Sequence, residues 1–212
     1  MPRRTAEAAA RTRDSLVDAG VEFFAERSYG QAPLEELVGR LGVTRGALYH
    51  HFGSKQGFFE AVVERVLARL ADRIEQVSAA HGHGWDGLVA GCLTFVSAAT
   101  DDAFRRIVLL DAPAALGWRV WKEIDDRTAA RTLRAGLTQL RDDGELATTD
   151  VEPLAAALSG AMNELGLWLA DQDPVAPALA RAEAMLVTML AAARNGGPGS
   201  DAAAPPGRRP RT

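Results

Sequence analysis

The chain has 212 residues, 25% of them charged and 47% hydrophobic, and a formal net charge of −4. That is enough chain to bury a sizeable core without staples, and the single cysteine, Cys92, excludes an internal disulfide framework and fits a reducing compartment. The first residues carry no apolar run, which predicts no signal peptide, and no apolar stretch approaches the ~20 residues of a membrane span, so the expectation is a soluble cytoplasmic protein without a membrane partner.

The acidic total argues against nucleic acid, but its distribution argues back. The stretch up to Lys55 leans slightly basic and the remainder is clearly acidic, as for a small DNA-binding head on a larger body. The chain then reads as helix after helix, with no period-two alternation between hairpin turns. A first helix over about 11–26 draws one stripe through Leu16, Ala19, Phe23 and Phe24. Pro33 suits the first turn of a short helix that runs to about Arg40 and buries Leu34, Leu37, Val38 and Leu41. Gly42 makes a turn, and Thr44 is an N-cap for a second short helix from Arg45 to about His51. Ser54 caps a long helix in which Phe58, Phe59, Val62, Val63, Val66, Leu67, Leu70, Ile74 and Val77 keep helical spacing.

His81-Gly82-His83-Gly84 breaks that helix. Further helices are predicted over 85–98, 103–110, 116–141, 151–170 and 176–194. From Asn195 the chain turns to Gly, Pro, Ala and Arg, so 197–212 is expected to be a disordered tail. The fold class is all-α, with a helix-turn-helix DNA-binding domain over 1–53 and a ligand-binding and dimerisation domain over 54–196.

The stretch from Leu34 to Phe52 has two short helices facing each other across a tight glycine turn, which is helix-turn-helix geometry with the second helix in the major groove. Arg45 can reach a guanine edge or a phosphate. Gly46 and Ala47 are small enough for close approach, and the Ala47 methyl can touch a thymine methyl. Thr44, Tyr49 and His50 offer polar groups to phosphates, and Lys55 lies in the first turn of the next helix, where backbone N–H groups also favour an anion. Two short helices meeting at a glycine can equally pack a bundle. The pattern here is longer: Phe23-Phe24-Ala25-Glu26-Arg27, Leu34-Glu35-Glu36-Leu37-Val38, and Gly42-Val43-Thr44-Arg45-Gly46-Ala47-Leu48-Tyr49-His50-His51-Phe52 followed by Ser54-Lys55.

Over Thr5 to Leu67 this closely resembles the DNA-binding signature of the TetR/AcrR repressor family. The resemblance implies an all-helical homodimer with three N-terminal helices on DNA, a connecting fourth helix, pairing of the last two helices between subunits, and a ligand in the body that shifts the two heads apart. It also implies operator contacts at Thr44, Arg45, Ala47, Tyr49, His50 and Lys55. The sequence departs from the family pattern at Ser28, where a glycine usually ends the first helix and Gly30 is the nearest replacement. It departs again at Ala32-Pro33, where a hydroxyl pair usually opens the second.

In the body, an effector pocket wants an apolar lining with a few polar groups. The ligand candidates are Phe95, Phe104, Trp118, Trp121, Met162 and Trp168, with Asn163, Asp111 and Arg105 as polar partners. Aromatic residues at helical spacing are as readily core as pocket. Leu154, Leu158, Ala161, Met162, Leu165 and Leu169 form one stripe and Leu179, Ala182, Met185, Leu186, Met189 and Leu190 another, suited to a four-helix bundle across a two-fold axis. His81 and His83 lack a third ligand nearby, so no metal site is expected, and no cofactor is implied. Cys92 reads as a buried thiol. With no phosphate loop and no nucleophile–base pair, the reading is a ligand-responsive repressor and not an enzyme. Its alternatives are a DNA-binding regulator without an effector and a vestigial helix-turn-helix.

Overall fold

The computed structural model describes residues 2–194 and is all helical there, apart from an isolated bridge between Leu146 and Arg194. The tail expected over 197–212 lies outside the described residues. The order is α1 (Pro2–Glu26), α2 (Leu34–Arg40), α3 (Arg45–Phe52), α4 (Lys55–Ala80), α5 (Trp85–Ala98), α6 (Asp102–Phe104), α7 (Ala112–Leu116), α8 (Trp118–Arg127), α9 (Ala129–Asp142), α10 (Val151–Ala170) and α11 (Val175–Ala193).

α1 begins well before the predicted start, because alanine and arginine in its first turns are strong helix formers even without an apolar stripe. From Leu16 onward its stripe is buried, with Phe24 closed against Phe58 and Phe59 of α4 and Phe23 edge-on to Phe24. Arg65 of α4 pairs with Asp14 at 2.7 Å and Asp18 at 2.6 Å, fixing the crossing. The α1–α2 link passes through a short 3₁₀ turn, Tyr29–Gln31. Ser28 is extended there (φ −61°, ψ 148°), and neither it nor Gly30 takes a left-handed conformation, so no glycine substitute is needed at that helix end. Gly42 and Gly53 do have positive φ, at +65° and +75°, and make the turns on either side of α3.

Two body elements depart from the sequence reading. The single helix expected over 116–141 breaks at Thr128 (φ −120°, ψ −106°), whose hydroxyl donates to the Ile124 carbonyl at 2.7 Å. A threonine bonding back into the preceding turn competes with the backbone ladder, and no glycine or proline marks the place. Between α6 and α7 the chain runs through a π-helical segment, Arg105–Asp111. Its Val108 carbonyl accepts the Trp121 indole N–H at 3.0 Å. The same segment grips the head: Arg106 donates to the Ala25 carbonyl at 2.6 Å, and the Tyr29 N–H donates to Asp111 at 2.7 Å.

α10 and α11 cover α5 on one side. α11 is long and apolar enough by length and composition to cross a membrane, with a mean hydropathy of 1.4 over its apolar window, which corrects the expectation that no stretch reaches that length. Alanine is its commonest residue, interleaved with leucine, methionine and valine, and it also carries Arg181 and Glu183. Leu186 and Leu190 are buried, whereas Met185, Val187 and Met189 are exposed.

Candidate nucleic-acid interface and ligand cavity

α3 is held by its ends. The Ala47 N–H donates to Thr44 Oγ1 at 3.1 Å, and the Gly57 N–H donates to Ser54 Oγ at 3.0 Å, so both predicted N-caps are in place. Leu48 is fully buried, while Thr44, Arg45, Tyr49 and His50 are exposed and Ala47 is half-buried. Arg45 stacks over the Tyr49 ring at 5.5 Å, donates to its hydroxyl at 3.4 Å and lies 3.7 Å from Glu35 of α2. Five of the six predicted contact residues therefore stand on one outward surface.

The sixth is turned inward. Lys55 Nζ donates to the Tyr29 carbonyl at 2.7 Å and to the Ala32 carbonyl, and sits 4.3 Å from the centre of the Tyr29 ring. Burial lowers its pKa from the ordinary lysine value. In this conformation the ammonium closes the α1–α2 link.

The body holds a cavity of about 750 Å³ between α4, α5 and α9. Of the predicted lining residues, Phe95 and Met162 border it. The others are accounted for elsewhere. Phe104 is core, edge-on to Phe95 at 5.9 Å. Trp121 is buried and spends its N–H on Val108, whereas Trp118, at the first position of α8, is 65% exposed. Trp168 lies under the Arg181 guanidinium at 5.2 Å. Among the polar candidates, Arg105 pairs with Asp102 and Asp111 is engaged by Tyr29. Asn163 Oδ1 is buried without a hydrogen-bond partner among the described residues, yet Asn163 does not line the cavity.

Sequence reasoning missed the cavity's other walls: Glu75 and Ser78 of α4, the Gly82–Gly84 loop, and Thr132, Gly136, Gln139 and Asp143 along α9. The available signal was Gly87 and Gly91, four apart in an otherwise apolar helix. A Cβ on Gly87 would lie 2.9 Å from the Ser78 carbonyl, and one on Gly91 2.8 Å from Ser78 Oγ. The two glycines let α5 touch α4 along the cavity's edge. Cys92 lines the same wall, and burial pushes its thiol up to about 12, so it is a neutral apolar surface.

A helix-turn-helix head with an exposed basic and aromatic helix, joined by one long helix to a hollow helical body, is the build of a DNA-binding regulator. The chain matches the description "Bacterial regulatory proteins, tetR family" over residues 16–62 and "Tetracyclin repressor-like, C-terminal domain" over residues 85–193. It belongs to the TetR family of transcriptional regulators. It is 41% identical over 63 residues to the transcriptional repressor BepR of Brucella suis, a match covering 30% of this chain and 30% of that protein. The structure resembles a TetR-family regulator from Pectobacterium atrosepticum (TM-score 0.77, 28% identity, 91% of this chain and 98% of that one). It also shares its fold with FadR from Bacillus subtilis in complex with stearoyl-CoA (TM-score 0.69, 19% identity, 83% and 96%).

Proposed function

We propose that the protein is a cytoplasmic, ligand-responsive repressor. A homodimer paired through α10 and α11 binds a near-palindromic operator, and a small molecule entering the cavity of the body releases it. The exposed α3 surface carries this reading. Thr44, Arg45, Ala47, Tyr49 and His50 are offered to the major groove of double-stranded DNA while Leu48 anchors the helix from behind. The ligand step rests on the cavity, with support from the ligand-bound FadR fold relative. Dimerisation rests on the outward Met185, Val187 and Met189 of α11.

The test is selection of randomised duplexes by the purified protein near physiological salt. A recovered palindrome with half-sites about one helical turn apart, ~34–36 Å, is expected. Recovery of no motif, with binding that vanishes as salt rises, would sink the sequence-specific reading. On the selected duplex, Arg45→Ala is expected to cost about 1–3 kcal/mol and to relax base preference at one position of each half-site. An equal loss on every duplex would reassign Arg45 to phosphate.

Lys55 gives a second, sharper expectation. Lys55→Met removes two hydrogen bonds to carbonyls and is expected to lower stability by about 1–2 kcal/mol in chemical denaturation. The slope of log affinity against log salt should stay nearly unchanged. A slope that falls by about one, with unaltered stability, would make Lys55 a phosphate contact.

A further inference from the structure

Arg45 stands at the first position of α3, where a recognition helix presents side chains to base edges. Its guanidinium is held from two sides within the head. Tyr49, one turn on, lies under it at 5.5 Å and accepts an N–H at 3.4 Å. Glu35, near the start of α2, brings a carboxylate oxygen to 3.7 Å from the other terminal nitrogen. α2 carries two acids in its first turn, Glu35 and Glu36. Glu36 turns back to Arg27, just past α1, at 3.0 Å, so of the two it is Glu35 that meets α3.

An anion at the edge of a surface offered to DNA weakens every contact with phosphate. The Glu35 side chain is 78% exposed, so its charge meets the phosphate field of any duplex. A pair this open adds little to stability, and the place of the charge matters more than the strength of the pair. Arg45 alone would bind a phosphate on any sequence. With a carboxylate 3.7 Å away the pair has no net charge, and its attraction for a phosphate falls. A guanine edge offers acceptor atoms and no net charge, so that contact loses less. The guanidinium has five N–H donors, enough to serve a guanine while still facing Glu35 and Tyr49. Holding it on two sides also removes rotamers that would swing it out to the backbone.

We infer that Glu35 is a specificity-determining, positioning residue: it keeps Arg45 off the phosphate backbone, directs it to a base edge, and so weakens the hold of the head on DNA that lacks the operator sequence. This rests on the reading of Arg45 as a base contact and adds to it what keeps that arginine from binding every duplex. An acid in a first turn also favours the positive end of its own helix. That second effect changes the stability of α2 and carries no preference among duplexes, so the two are separable.

The experiment is fluorescence anisotropy of the full-length protein on the selected duplex and on a scrambled duplex of the same length and composition, over a salt series. Glu35→Gln keeps the shape of the side chain and removes its charge. It is expected to tighten binding to the scrambled duplex by roughly threefold per head, about tenfold for a dimer. The salt slope on that duplex should steepen by about one per head as Arg45 becomes a phosphate contact. Operator affinity should change by less than about threefold, so the ratio of the two affinities falls. In an Arg45→Ala background the same substitution should no longer alter the ratio. An unchanged ratio in Glu35→Gln overturns the inference and, with a lowered melting temperature, leaves Glu35 only its effect on the end of α2. A fall in the ratio that persists without Arg45 overturns it as well, because Glu35 then acts on DNA directly. Arg45→Ala alone tests the reading beneath. Equal weakening on both duplexes removes the base contact and the inference with it. Weakening on the operator alone, beside an unchanged ratio in Glu35→Gln, removes only the role of Glu35.

Discussion

Met185→Glu is expected to leave a folded monomer that no longer binds the operator at concentrations where the wild type saturates it. Met185 is 55% exposed on a face of α11 that also exposes Met189, and Val187 is exposed on the other flank of the buried Leu186–Leu190 stripe. Exposed large apolar side chains on both flanks of one helix, Met185 and Met189 on one and Val187 on the other, are the mark of a surface that another surface covers. A two-fold interface repeats every residue, so one substitution introduces two carboxylates into the same patch. Each loses hydration without gaining a partner, a cost of several kcal/mol per buried ion, so the dimer dissociation constant should rise by about a thousandfold or more. Operator affinity falls with it because a lone head keeps only half the phosphate contacts. The core is untouched, since Leu186 and Leu190 are the buried residues of the helix. Sedimentation equilibrium reads the result directly. A variant that stays dimeric at micromolar concentration would move the interface away from α11. A variant that is monomeric yet binds the operator with undiminished affinity would separate dimerisation from recognition.

The head was legible in the sequence because its signals are local. A cap, a glycine turn and a buried leucine all fall within the span from Gly42 to Phe52, and each constrains its neighbours directly. The role of Lys55 was not legible in the same way: the carbonyls it meets belong to Tyr29 and Ala32, more than twenty residues earlier, and only the folded α1–α2 link brings them within reach. The body was legible as helices and poorly legible as a site. Trp118 and Trp121 are three apart and their rings do meet at 4.7 Å. A helix start after Gly117 nevertheless turns one toward solvent and one inward, and spacing alone cannot tell which way a stripe faces. The cavity lies beside the place where Gly87 and Gly91 bring α5 into contact with α4, with α9 as its other wall. Absent side chains shape it as much as present ones, whereas a search for aromatics finds core. The break at Thr128 has no sequence signal of its own, because a threonine hydroxyl either caps a break or points to solvent depending on what packs around it.

Lys122→Met is expected to destabilise the body by about 2–3 kcal/mol at neutral pH, less than a fully buried pair would lose because Lys122 is partly exposed. Lys122 Nζ donates to Asp125 at 3.1 Å and to Asp126 at 2.7 Å, while Arg134 also holds Asp126. Asp125 is 2% exposed, and its other side-chain partner is the Ser159 hydroxyl at 3.4 Å. Burial, helped by the neighbouring Asp126 charge, holds the Asp125 pKa above its ordinary value although Lys122 pulls it down. For Asp126, burial pushes the same way, but Lys122 and Arg134 outweigh it and hold the carboxyl below its ordinary value. The signs are therefore opposite. The stability Asp125 contributes is complete below the ordinary carboxylate range and is lost as pH rises through its folded value. The stability Asp126 contributes is complete above that range and is lost as pH falls through its own. Removing the ammonium drives Asp125 further up, so the deficit of the variant should be largest at neutral pH and shrink as pH falls through the raised value at which the buried carboxyl takes up a proton. Adding Asp125→Asn should restore most of the loss, because no uncompensated charge is then buried. Thermal melts across pH decide it: a deficit that does not change with pH, or a double variant no better than the single, would mean that Lys122 contributes packing and not charge. The network also has a functional place, since α8 carries Arg127, which pairs with Glu64 of α4 at 2.9 Å. Loosening α8 from α10 releases one of the ties between the body and the helix that carries the DNA-binding head.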